Sequence, residues 1–444
     1  MSLLASLSLA LLPATPDPPG FLVVAPAAWE PVLAPFLDAR RRELRVEFAP
    51  LEDALEASPG VDPPERLKRR LYGAWKERDV RFVLLVGDAD ALPVRFMVLD
   101  RVTPPAFDYG FYASDLYYAD LADETGAFDS WNASAEGFHA RYFGEVRGEK
   151  NKGGPINADA VSYRPEIALG RWPVSDATTL AAVVAKTLAW KPTGASPRVL
   201  LAHADGWVDA RARAGAMAEG LSSAGFAVER QFYGEGVPTP ASVSRSLLAG
   251  VDLALHVGHG DREEWAGCLG PAEREALAAA RPAVFFSVGC GTAHFCAEAP
   301  YEAYLDEDGR LHRGTNAGEV FRAPPPPPAP LQPGPHNTTG LGERLLRMPS
   351  GGAVAYVGCN TGSQPCALTL LEGFTRALAA DPATRIGEAW RGAIASYWEA
   401  ERLASLVPTE DWYPPSVFFQ GMKFMLLGDP TLRLREETAP RTDR

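Results

Sequence analysis

DLALHVGHG (Asp252–Gly260) and AVFFSVGCG (Ala283–Gly291) follow one pattern. Each begins as an apolar, β-forming run without the polar alternation of a half-exposed strand. Each closes on glycines that flank one reactive side chain, His259 in the first and Cys290 in the second. A continuous apolar run reads as a strand buried on both faces, which implies a parallel sheet between two helix layers. In such sheets reactive groups collect beyond the carboxyl ends of the strands, where loop amides and helix N-termini face a shared crevice.

Working outward, the same kind of run recurs in FLVVA (Phe21–Ala25), LRVEFA (Leu44–Ala49), RFVLLVG (Arg81–Gly87), VLLAHA (Val199–Ala204), FAVERQF (Phe226–Phe232) and GAVAYVG (Gly352–Gly358). Amphipathic stretches near Trp29–Arg42 and Pro63–Glu77 separate the first of them. The alternation predicts an α/β fold of two side-by-side doubly wound, mostly parallel sheets. The boundaries read as a leader over 1–19, an N-terminal subdomain over 20–194, a catalytic subdomain over 195–436 and a tail over 437–444. Two segments interrupt the alternation and read as insertions: Tyr109–Tyr163, rich in Asp, Gly, Asn and aromatics, and Ala299–Asn337, with its run Pro324–Pro328. Polyproline is stiff and extended, so the second is predicted to be a surface excursion near the rim of the site.

The 444 residues carry 43 Lys+Arg against 56 Asp+Glu, a net charge of −13. With no Lys/Arg block, that balance excludes a nucleic-acid partner, because phosphate recognition needs basic patches. Leu3–Leu12 is half the length of a membrane span and is followed by prolines. It reads either as the apolar core of a short secretory signal ending near Ala14 or as a leader without that role, since no Lys or Arg precedes it. The compartment and the oligomeric state stay open. Five cysteines are too few, and odd in number, for a disulfide scaffold.

Three strand ends carry the chemistry. A thiol needs a base to become a thiolate nucleophile, an imidazole supplies it, and a carboxylate can orient the imidazole. Cys290, His259 and Asp205, the last following VLLAHA, fit those roles. The N–H groups of Gly260 and Cys290 are placed to form an oxyanion hole, with no Cβ to intrude at Gly260. His256 and His259 leave the strand end on opposite faces and no Cys-x-x-Cys pair exists, so a zinc or iron site is not expected. Asn132, Ser134 and Glu136 alternate before Gly137 like the first half of a calcium loop, with Glu145 as a distal ligand, and define a candidate structural calcium site. No other cofactor is required.

LHVGHGDREEW (Leu255–Trp265), followed 31 residues after His259 by the cysteine of FFSVGC, resembles the gingipain family of cysteine peptidases, within the clan that includes the caspases. The resemblance spans most of the chain. It includes FVLLVGDAD (Phe82–Asp90), SDLYYADL (Ser114–Leu121), PEIALGRWPV (Pro165–Val174), PSGGAVAYVG (Pro349–Gly358) and FMLLGDPTLRL (Phe424–Leu434). It implies a caspase-like catalytic subdomain with His259 and Cys290 as the dyad and the amides of Gly260 and Cys290 as the oxyanion hole. Asp205 stands where gingipains resemble a Glu-Gly pair. The resemblance also implies a substrate-binding acid near the start of the next helix, where only Asp209 is found. The pocket-wall tryptophan of the family falls near Gln364-Pro365, so a preference for basic residues does not carry over. Family members often read WDxNxDG at the calcium segment, where this chain has Asn132 and Ser134. The chain stops after GDPTLRL, so the immunoglobulin-like domain that follows in gingipains is not expected, nor is a long propeptide.

The expected function is that of a cysteine endopeptidase acting on peptide or protein substrates through a thioester acyl-enzyme. The alternatives are a sortase-like transpeptidase using the same intermediate and a catalytically silent binding module. A further expectation is that the Ala299–Asn337 strip is cut by the enzyme itself, since exposed loops are where chains are nicked.

Overall fold

The computed structural model describes residues 17–101, 109–133 and 137–435. Its strands, in chain order, are β1 (Gly20–Ala25), β2 (Arg45–Pro50), β3 (Val80–Val86), β4 (Phe96–Asp100), β5 (Tyr109–Ala113), β6 (Phe143–Val146), β7 (Ala168–Trp172) and β8 (Arg198–His203). The second half adds β9 (Ala227–Phe232), β10 (Leu253–Val257), β11 (Ala283–Ser287), β12 (Tyr304–Leu305), β13 (Leu311–His312), β14 (Ala353–Cys359) and β15 (Phe424–Gly428). Every apolar run singled out in the sequence is a strand. The stretches Trp29–Arg42 and Pro63–Glu77 correspond to the helices Glu30–Arg40 and Pro63–Arg78, the latter capped by Asp62 on the Glu65 N–H.

The expected pair of sheets is one sheet of ten strands, in the order β2-β1-β3-β7-β15-β14-β11-β10-β8-β9. The last strand makes the difference. β15 lies antiparallel to β14 and is flanked on its other side by β7, so the C-terminal segment closes the gap between the N-terminal and catalytic halves. Two glycines permit this close seam, since a Cβ at Gly170 would collide with the Gly428 carbonyl. Side chains alternate between two cores: Leu253, Leu255 and Val257 of β10 enter one, Ala254 the other, and Val83 and Leu85 of β3 likewise oppose Phe82, Leu84 and Val86. That division is what helices on both faces of a parallel sheet require.

The first insertion is part of the core, and the second is exposed over much of 307–324, as expected, but packed at its proline run. The segment Tyr109–Tyr163 contributes β5 and β6, which flank β4 in a second small sheet, and it places Tyr117, Tyr118, Trp131 and Tyr163 wholly within the core. Aromatics outweigh its loop-like composition because each removes a large apolar area from water. The proline run is also packed. Carbonyls of Pro325 and Pro326 accept from the hydroxyls of Tyr142 and Tyr304, the Pro330 carbonyl accepts from Val94 N–H, and Gln332 N–H donates to Ala89. An extended chain without internal hydrogen bonds keeps its carbonyls available. Here they bind the strip, as a strap, across the N-terminal half.

The leader Leu3–Leu12 and the tail after residue 435 lie outside the described residues. Among the described residues no helix is long and apolar enough to cross a membrane.

Candidate active site

Registers bring the candidate residues into one row. β10 pairs in parallel with β8, Val257 opposite His203, and carrying that pairing two residues on sets His259 opposite Asp205. β10 also pairs with β11, His256 opposite Ser287, and carrying that pairing three residues on sets His259 opposite Cys290. Neighbouring strands are only about 5 Å apart, so two glycine-flanked strand ends juxtapose imidazole and thiol.

The glycines hold the two ends together. A Cβ at Gly289 would stand 2.9 Å from the Gly260 nitrogen, and one at Gly260 would stand 2.6 Å from Thr292 Cγ2. Larger residues would force the strand ends apart. Among the described residues neither the Gly260 nor the Cys290 N–H has an acceptor, although buried or half-buried amides normally find one. Two unspent donors beside a thiol can stabilise negative charge on a carbonyl oxygen.

Cys290 differs from the other four cysteines in access. Cys268, Cys296, Cys359 and Cys366 are buried, and burial pushes the thiols of Cys268 and Cys359 up to about 12 and raises those of Cys296 and Cys366. Such thiols are poor nucleophiles at neutral pH. Cys290 is half-buried, and its Sγ accepts the Ser363 N–H at 3.2 Å, a contact suited to a thiolate. The loop after β14 that carries Ser363 is held from below: Gln420, fully buried, donates to Ser363 Oγ at 3.1 Å and accepts from Gln364 N–H at 3.1 Å, and Lys423 Nζ donates to Gly362 O at 2.7 Å.

His259 is exposed at the rim, and its Nε2–H donates to the Gly206 carbonyl at 2.9 Å, leaving Nδ1 free. His256, three residues earlier, points into the opposite core. It stacks on Trp265 with centroids 4.7 Å apart, its Nδ1 meets Ser287 Oγ at 2.9 Å, and burial pushes its pKa down to about 3. The expectation that the two imidazoles diverge is met.

Asp205 reaches the row but not the imidazole. Its Oδ1 accepts the N–H of its own neighbour Gly206 at 2.8 Å. Gly206 adopts φ +90°, a conformation that suits glycine, and this turn aims the Gly206 carbonyl at His259. The third group on the imidazole is therefore a backbone carbonyl, and the expected carboxylate supports the turn that presents it. Asp209 is exposed and paired through both oxygens with Arg211, at 2.9 and 2.8 Å, and that guanidinium holds its carboxyl far below the usual range. Its charge is thus already matched within the chain.

Of the four expected calcium ligands, only Asn132 and Glu145 fall within the described residues, and Ser134 and Glu136 lie outside them. The buried Glu145 carboxylate meets His139 Nδ1 at 2.7 Å and is ion-paired with Arg147 at 2.8 Å, a cationic neighbour that competes with calcium for it. Asn132 donates its amide to Ala140 O at 3.0 Å and leaves Oδ1 without a partner. Among the described residues no group of His, Cys, Asp and Glu is arranged to hold a metal ion.

Sequence reasoning missed Gly206, Ser363 and Gln420. Backbone donors and acceptors carry no residue signature, but the NTGSQPC run (Asn360–Cys366) follows a parallel strand in the same row, and that position was the available signal.

The chain matches the model of peptidase family C25 over residues 14–435. Among solved structures, the Arg-specific cysteine proteinase gingipain R superposes with a TM-score of 0.60 at 15% identity, covering 94% of this chain and 78% of that one. A complex of the Porphyromonas gingivalis RgpB pro- and mature domains gives 0.57 at 16% identity, covering 94% and 79%. At such identities these likenesses speak for the fold alone. A comparison with curated proteins finds no match.

Proposed function

The chain belongs to peptidase family C25 and is a cysteine-type endopeptidase, and on that premise we propose that Cys290 and His259 form its catalytic dyad. One observation carries the proposal: the thiol and the imidazole stand at matching positions beyond two paired parallel strands, beside two N–H groups without acceptors.

In this reading His259 Nδ1 takes the Cys290 proton while Nε2–H stays on the Gly206 carbonyl, which fixes the tautomer. The thiolate attacks the scissile carbonyl carbon, and the oxyanion is received by the N–H groups of Gly260 and Cys290. Collapse expels the amine, protonated by the imidazolium, and leaves a thioester on Sγ. Water, deprotonated by His259, hydrolyses that thioester and releases the acid and the free thiol. The Ser363 N–H supports the thiolate before its attack and again as it leaves the thioester.

The experiment is labelling with a peptidyl chloromethyl ketone followed by peptide mapping, on wild-type and Cys290→Ala protein. Label on Cys290 alone, with loss of hydrolysis in the variant, is the expected result. Full hydrolysis by Cys290→Ala overturns the proposal. Adding a free amine to the wild-type reaction separates hydrolysis from transpeptidation by the product formed.

A further inference from the structure

The peptide joining Gly289 to Cys290 carries a carbonyl and the Cys290 N–H in one plane, pointing opposite ways. Whatever holds the carbonyl therefore aims the N–H. Thr292, fully buried, donates from Oγ1 to the Gly289 carbonyl at 3.3 Å. On the other side of the same residue, Gly289 N–H donates to Ser287 Oγ at 3.1 Å, and Ser287 is held by His256 at 2.9 Å. The methyl of Thr292 lies beneath the second donor, since a Cβ at Gly260 would stand 2.6 Å from Thr292 Cγ2. Thr292 is itself clamped: its carbonyl accepts Gly342 N–H at 2.8 Å, and a Cβ at Gly358 would stand 2.9 Å from its Oγ1.

We propose that Thr292 is the positioning residue of the oxyanion hole, its hydroxyl setting the plane of the Gly289–Cys290 peptide and its methyl setting the Gly260 backbone, so that both N–H groups converge on one oxygen. The proposal rests on the reading of Cys290 and His259 as the dyad. Thr292 makes no hydrogen bond to the thiol and is fully buried, out of a substrate's reach. It acts on the rate because an oxyanion donor works only when aimed at the oxygen of the transition state beforehand.

The test uses the full chain as wild type, Thr292→Val, Thr292→Ser, Thr292→Ala and Cys290→Ala, with the best-cleaved fluorogenic peptide of a library and an aldehyde of the same sequence. The aldehyde forms a hemithioacetal whose oxygen needs the hole, whereas alkylation of Cys290 by iodoacetamide does not. Thr292→Val is expected to lower kcat about 10-fold or more with KM nearly unchanged. It is also expected to weaken the aldehyde by a similar factor and to leave the alkylation rate within about twofold. Ser and Ala both lack the methyl, so a higher kcat and tighter aldehyde in Thr292→Ser than in Thr292→Ala isolate the hydroxyl even if the valine variant folds poorly. Equal kcat and aldehyde affinity in those two variants overturn the proposal, as does an alkylation rate that falls in step with kcat. Hydrolysis by Cys290→Ala is a separate failure, that of the dyad reading.

Discussion

His259 leans on the carbonyl of Gly206, 2.9 Å from Nε2, and not on the carboxylate of Asp205 one residue earlier. A backbone carbonyl fixes the tautomer without placing a full negative charge beside the imidazole. The proposed dyad thus depends on the shape of a turn.

Substitution of Gly206 is therefore expected to harm activity more than loss of the Asp205 charge. Gly206→Ala strains a residue at φ +90° and displaces the carbonyl. A kcat at least about 10-fold lower is expected, whereas Asp205→Asn, which still accepts from the Gly206 N–H, stays within a few-fold of wild type. Steady-state kinetics of the two variants check this. A larger loss in Asp205→Asn would return the carboxylate to the imidazole.

In the proposed dyad nucleophile and base act as a unit, so Cys290→Ala and His259→Ala are each expected to abolish hydrolysis, with the double variant scarcely worse. Single Ser substitutions at Cys268, Cys296, Cys359 or Cys366 remove buried thiols and are expected to affect melting temperature more than kcat. Parallel kinetics and thermal melts across the five positions distinguish the roles.

Acid should destabilise the fold through His256. Its native pKa is near 3 because burial disfavours the charged ring, and among the described residues His203 and His259 disfavour that charge further. Unfolded histidine takes up its proton near 6.5. The unfolded state therefore binds more protons between about pH 6.5 and 3, and stability falls as pH drops through that window, by up to about 1.4 kcal/mol per unit from this group. Melting curves of wild type and His256→Gln between pH 8 and 4 check it, the variant showing the shallower slope.

The pairing of the strap over Pro325–Gln332 stands against self-cleavage there in the native state. Gln332, fully buried, accepts from Leu305 N–H at 3.1 Å and donates to the Leu305 and Ala329 carbonyls, both at 2.9 Å. Wild-type protein is expected to remain intact by mass spectrometry. Gln332→Ala leaves two half-buried backbone groups, the Leu305 N–H and the Ala329 carbonyl, unpaired, a cost of about 2 kcal/mol, and is expected to open the strap to limited proteolysis. Cuts in this segment of active wild type but not of Cys290→Ala would restore the maturation role.

The expected calcium site yields its own measurement. With Glu145 held by His139 and Arg147, millimolar calcium is expected to leave the melting temperature unchanged relative to magnesium. A calcium-specific rise would show that the ion pair gives way to the metal.

What the sequence determined by itself was the strands and the placing of two candidate residues at their ends. Apolar continuity in Leu253–Val257 and Ala283–Ser287 is a local property, and so is the placing of His259 and Cys290 directly after it. What only the tertiary structure decided was partnership. Nothing local in FMLLG (Phe424–Gly428) says that it enters between β7 and β14 and merges two expected sheets, because strand pairing is settled by neighbours hundreds of residues away. The prolines of the strap read as solvent-facing until the tyrosines that bind their carbonyls are seen. The carbonyl on His259 and the N–H on Cys290 belong to backbone, which every residue carries alike, so only the fold could assign them to Gly206 and Ser363.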